Sequence, residues 1–155
     1  MLLPASPNSL TFRVIGTPVP QGSMKAYNSR VVANNHDALM SWRQDVALTA
    51  YKNRPENWNI NSPVSLRCEF VFPRPKTHFG TGSNSDKLKP AAPVHHVTTP
   101  DLDKLLRSIG DAISVGQVLL KNDSQIASAY ASKRYAKDDF LGAIITITAL
   151  DDANY

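Results

Sequence analysis

The chain has 155 residues, 42% of them hydrophobic, a net charge of +4 and one cysteine, Cys68; this is enough apolar material for one core and too short for two ordinary domains. The longest apolar run, LGAIITITAL, is shorter than the roughly 18 residues a membrane span needs, and a single cysteine excludes both an internal disulfide and a cysteine-built zinc cluster. MLLPASPNSL has neither the basic residues nor the apolar block of a secretory signal, so the sequence reads as one soluble, cytoplasmic domain over residues 1–155 with no membrane partner.

In chain order, LTFRVIG (10–16) alternates as a strand does, and TPVPQGS supplies turn residues. Lys25, Tyr27, Asn28, Arg30 and Asn34 then form a polar, basic and partly aromatic stretch that reads as an exposed arm. From Asp37 to about Asn53, the spacing of Leu39, Trp42, Val46 and Ala50 predicts an amphipathic helix, ended by Pro55. PVSLRCEFVF (63–72) is the clearest strand, with Val64, Leu66, Cys68, Phe70 and Phe72 on one face. Residues 73–100 show no period and are rich in Pro, Gly, Ser and Lys. Long loops of this kind are either solvated connections or binding segments, and Arg74, Lys76, Lys87 and Lys89 suit a flap that contacts phosphate. His95 and His96 are adjacent and face opposite ways on extended backbone, which makes them a poor metal pair. Leu102, Leu105, Leu106, Ile109, Ala112 and Ile113 predict the most regular helix of the chain. A short apolar segment, a polar turn at 121–124, a strand over about 125–135 and a last strand in LGAIITITAL complete the set.

Charge is uneven: residues 1–100 carry 11 Lys+Arg against 5 Asp+Glu, and residues 101–155 carry 6 against 8. The basic part suits a polyanion such as nucleic acid, whose affinity is dominated by Lys and Arg contacts to phosphate. The acidic part is concentrated where the regular helix begins. At 100° per residue, Asp103, Arg107 and Asp111 form one polar stripe opposite the apolar face, whereas Asp101 would lie about 160° from Asp103 if it were helical. The two carboxylates converge only if Asp101 is extended just ahead of the helix, a geometry that Pro100 favours.

Two readings stay open on spacing alone. Acidic residues in a first turn satisfy free amides and the helix dipole, and Arg107 would pair with Asp103 and Asp111 along the helix; spacing favours this reading. The other needs a third carboxylate, which Asp123 supplies from the polar turn. Hard divalent cations such as Mg2+ take oxygen ligands, so three aspartates, a metal and a nearby cation can build a phosphodiester hydrolase. The sequence has no Gly-rich phosphate loop followed by Lys and Ser/Thr, no GxSxG and no HExxH.

Thr99-Pro100-Asp101-Leu102-Asp103-Lys104-Leu105-Leu106-Arg107, then Asp111-Ala112-Ile113, then Asn122-Asp123-Ser124-Gln125-Ile126, resembles the signature of the RusA-type Holliday junction resolvases. GTPVPQGSMKAY, FPRPKTHFG and the last strand extend the likeness more loosely. The resemblance implies a small α+β homodimer, RusA-like, with a mixed sheet of four to five strands packed with two main helices. It implies an endonuclease that binds branched DNA, the four-way junction above all, and cuts it with Mg2+ held by Asp101, Asp103 and Asp123. Lys133 and Arg134 would contact phosphate beside the basic residues already named, Lys25, Arg30, Arg74 and Lys76. Two positions depart from the common pattern: Lys104 stands where asparagine is frequent, and Arg107 where a catalytic lysine is usual. Arginine keeps the charge and loses the accessible pKa, so it stabilises charge rather than donating a proton. The alternative from another class is a non-catalytic DNA-binding or recombination accessory module whose aspartates only cap.

Overall fold

The computed structural model describes residues 8–22 and 29–150, and for 29–34 the backbone only. Its strands are β1 (Ser9–Ile15), β2 (Val64–Phe72), β3 (Ile126–Tyr135) and β4 (Gly142–Ala149), and its two α-helices are α1 (Ser29–Asn53) and α2 (Leu102–Ser114). The strands form one mixed sheet in the order β1-β4-β2-β3, with β4 antiparallel to both neighbours and β2 parallel to β3. The parallel pair requires a crossover, and α2 supplies it. This is the small α+β architecture that the sequence predicts.

Alternation decides which face of the sheet is buried. Leu10, Phe12 and Val14 of β1 lie opposite Ile147, Ile145 and Ala143 of β4, which lie opposite Leu66, Cys68 and Phe70 of β2. These residues form one core with Trp42, Val46 and Ala50 of α1 and Leu105, Ile109, Ala112 and Ile113 of α2. Burial pushes the Cys68 thiol up, so it is packing rather than a nucleophile. The opposite face carries exposed Thr11, Arg13, Ile15 and Arg67, tied across β1 and β4 by the hydroxyl pairs Ser9–Thr148 and Thr11–Thr146. Gly142, at φ +146°, is required where β4 begins, because a Cβ there would lie 1.9 Å from the Val14 carbonyl oxygen.

One expectation is corrected. Helix α1 begins at Ser29 rather than near Asp37, so Arg30 and Asn34 sit on helical backbone and not in an arm that precedes the helix; Lys25, Tyr27 and Asn28 lie outside the described residues. Residues 29–36 contain neither proline nor glycine to stop a helix, and only the apolar spacing fades there. Residues 73–100 carry short local structure. They form short 3-10 turns at Lys76–His78 and Gly82–Asn84, and Phe79 and Leu88 form an antiparallel bridge. Buried His96 anchors the segment between the rings of Phe72 (4.8 Å) and Tyr135 (4.9 Å), while His95 is exposed.

Candidate active site

Helix α2 brings the first acidic group into place. Asp101 occupies its N-cap position with extended backbone (φ −69°, ψ 138°), directly after a cis Thr99–Pro100 bond, as convergence with Asp103 requires. Its side chain makes no capping hydrogen bond and instead lies 3.3 Å from the Lys104 ammonium. Both ends of that pair are about half exposed, so the pair contributes little to stability. The segment before Asp101 is held from the sheet: Lys133 Nζ donates to the carbonyl oxygens of Thr98 and Pro100, the latter at 2.8 Å.

Asp103, Arg107 and Gly110, at i, i+4 and i+7 on α2, line an open groove of about 250 Å³ with Asp123, Leu66, Leu106, Ile126 and Ala129. Asp123 enters from a 3-10 turn, Asp123–Gln125, immediately before β3. Among the described residues, neither the Asp103 and Asp123 carboxylates nor the Arg107 guanidinium has a hydrogen-bond or ion-pair partner. Arg107 therefore pairs with neither Asp103 nor Asp111, although both are one turn away. Asp111 is half-buried and does not line the groove. Asp101 also stands outside the lining, two residues before Asp103. Among the described residues, no three His, Cys, Asp or Glu side chains are close enough to share one metal. The groove thus joins Asp103, Asp123 and Arg107 and leaves Asp101 beyond it.

This donor set fits Mg2+. The ion is ordinarily held by one or two carboxylates together with waters and substrate phosphates, not by an all-protein cage, and two carboxylate side chains without competing partners among the described residues line one open groove.

The remaining cations differ in how free they are. Lys76 is exposed. Arg74 donates to the Pro93 carbonyl at 2.7 Å, lies 3.2 Å from His78 Nδ1 and stacks 4.5 Å from the centre of the Tyr135 ring. Lys133 is engaged by the two carbonyls already named. Arg134 pairs with Glu69 at 2.6 Å. Three of the cations that suit phosphate contact therefore also brace the fold. Sequence reasoning missed the part played by Gln125, although Asn122-x-x-Gln125 has capping-box spacing.

Two carboxylates unpaired among the described residues and a guanidinium in one open groove define a class of site suited to a hard cation and a phosphate ester. The family model for Endodeoxyribonuclease RusA matches residues 16–148, and the chain belongs to that family of endodeoxyribonucleases. The matched stretch contains every residue that lines the groove. No curated protein matches the chain. No helix among the described residues is long and apolar enough to cross a membrane.

Proposed function

We propose that this protein is a Mg2+-dependent endonuclease that recognises four-way DNA junctions by their structure and cuts them, acting as a homodimer in the cytoplasm. The observation that carries this reading is the groove in which Asp103 and Asp123, without a hydrogen-bond or ion-pair partner among the described residues, lie beside Arg107. Capping aspartates would leave a different signature. Asp101 sits at an N-cap without making the cap bond, and Asn122, not Asp123, caps the turn before β3.

In this mechanism Asp103 and Asp123 would hold the ion, with Asp101, two residues before Asp103, as the third carboxylate. When bound, Mg2+ supplies Lewis-acid charge at the scissile phosphate. Arg107, permanently charged, stabilises negative charge that develops on the phosphate oxygens and leaves proton transfer to solvent. A two-fold axis would present two such grooves to two symmetric strands of a junction.

The test is cleavage of a labelled synthetic four-way junction with and without Mg2+, by the wild type and by Asp103→Asn. Cleavage should require the ion and disappear in the variant. Junction binding should stay equal or tighten, because removing a carboxylate from a phosphate-contacting groove relieves repulsion. An Asp103→Asn rate within a few-fold of wild type would defeat the proposal.

A further inference from the structure

Asp123 sits on a three-residue 3-10 turn, an element too short to hold a side chain in place by its own hydrogen bonds. What fixes it is the side chain two residues on. The Gln125 Oε1 accepts from the backbone N–H of Lys121 and of Asn122, both at 2.9 Å. Its Nε2 donates to the carbonyl oxygens of Ile60 at 2.8 Å and Ser62 at 2.9 Å. A primary amide has two donor hydrogens and two acceptor lone pairs, and in Gln125 all four are used.

The bonds run in a consistent direction. Two grip the chain just before Asp123, and two reach to the segment that leads into β2, the strand that pairs in parallel with β3. The same two segments are joined by Lys121 N–H to the Ile60 carbonyl at 3.1 Å and by Trp58 Nε1 to the Leu119 carbonyl at 2.8 Å. Within the turn, Asn122 Oδ1 accepts from Ser124 N–H at 2.9 Å. The backbone on both sides of Asp123 is thereby clamped to the segment that leads into β2, while its carboxylate has no partner among the described residues.

We infer that Gln125 is a positioning residue for Asp123: its amide sets where the Asp123 carboxylate stands in the groove, and so sets the affinity of the site for a divalent cation. The inference rests on the reading of Asp123 as a metal-holding group. Outer partners of this kind, when removed, ordinarily cost about 10–100-fold in metal affinity or activity.

The experiment compares the wild type, Asp123→Asn, Gln125→Ala and Gln125→Glu in three measurements. These are calorimetric titration of the free protein with Mg2+, single-turnover junction cleavage as a function of Mg2+ concentration, and Tm without added metal. Gln125→Ala should raise the Mg2+ concentration for half-saturation by about tenfold or more, with much of the maximal rate regained at high Mg2+. Gln125→Glu keeps the two accepted bonds but sets a carboxylate oxygen against the Ile60 and Ser62 carbonyls in place of the two donated ones, so its shift should be at least as large; its side chain fills the space that alanine leaves, so it also carries the test if the alanine variant does not fold. A lowered Tm with unchanged Mg2+ half-saturation in both variants would make Gln125 a structural residue only and overturn the inference. If Asp123→Asn itself binds Mg2+ and cleaves like the wild type, the functional reading falls first and the inference with it. If Asp123→Asn is inactive while the Gln125 variants keep wild-type metal dependence, the inference falls alone.

Discussion

Arg107→Ala separates the two explanations of the polar stripe on α2. Had Arg107 paired with Asp103 and Asp111, each pair would stabilise the helix by about 0.2–0.5 kcal/mol, and the substitution would act on stability. Neither pair forms, the guanidinium is exposed at the groove, and alanine is a good helix former. The loss of stability should therefore stay below about 0.5 kcal/mol, which for a chain of this size moves Tm by less than about 2 °C. The rate is a different matter. Removing one preorganised donor from a site of developing charge costs about 10²–10³ in rate, equivalent to about 2.7–4 kcal/mol. Single-turnover cleavage of a four-way junction at saturating protein and Mg2+ measures this directly. Arg107→Lys should retain much of the activity, because the charge survives even though the planar fork does not. An Arg107→Ala rate within about threefold of wild type, with Tm unchanged, would show that the guanidinium only decorates the groove, since a contribution of the expected size cannot be hidden in so small a change.

Lys133→Met keeps the alkyl stem and removes the ammonium that holds the Thr98 and Pro100 carbonyls; losing these charge-assisted bonds should cost about 1–2 kcal/mol at this half-exposed position, or about 2–8 °C in Tm by calorimetry. A Tm equal to wild type would mean that the segment before Asp101 is held by something else. His96 gives a pH signature, because burial first and the Lys133 ammonium second hold its pKa below the ordinary value of 6.5. The unfolded chain then binds this proton more readily than the folded one, so the stability associated with neutral His96 is fully present above about pH 6.5 and is lost as pH falls below it. Tm measured between about pH 7.5 and 5.5 should fall more for the wild type than for His96→Phe, which keeps a ring between Phe72 and Tyr135 without the titration; parallel curves would remove His96 from the account.

The sequence by itself determined the elements whose burial pattern is written locally. VSLRCEFVF alternates and is β2, and the apolar spacing from Leu102 to Ile113 is α2, since each residue's face follows from the helical or extended period alone. It also placed Asp101 ahead of α2, because Pro100 constrains backbone that is covalently adjacent. The extent of α1 was less legible, since its first turns carry no apolar stripe and only the absence of a breaker marks them as helix. Tertiary structure alone decided the partners of the long side chains. Arg74, Lys133 and Arg134 read in sequence as interchangeable positive charges, but one stacks on Tyr135, one gathers two carbonyls and one pairs with Glu69. Arg107 had two carboxylates within one turn and took neither. Gln125 reached some 60 residues back to Ile60 and Ser62 to fix the turn that carries Asp123. A local period fixes which way a side chain leaves the backbone; what a flexible, hydrogen-bonding end group meets there depends on elements brought together from distant parts of the chain, and the groove joining Asp103 to Asp123 exists only once β2, α2 and β3 have closed into one unit.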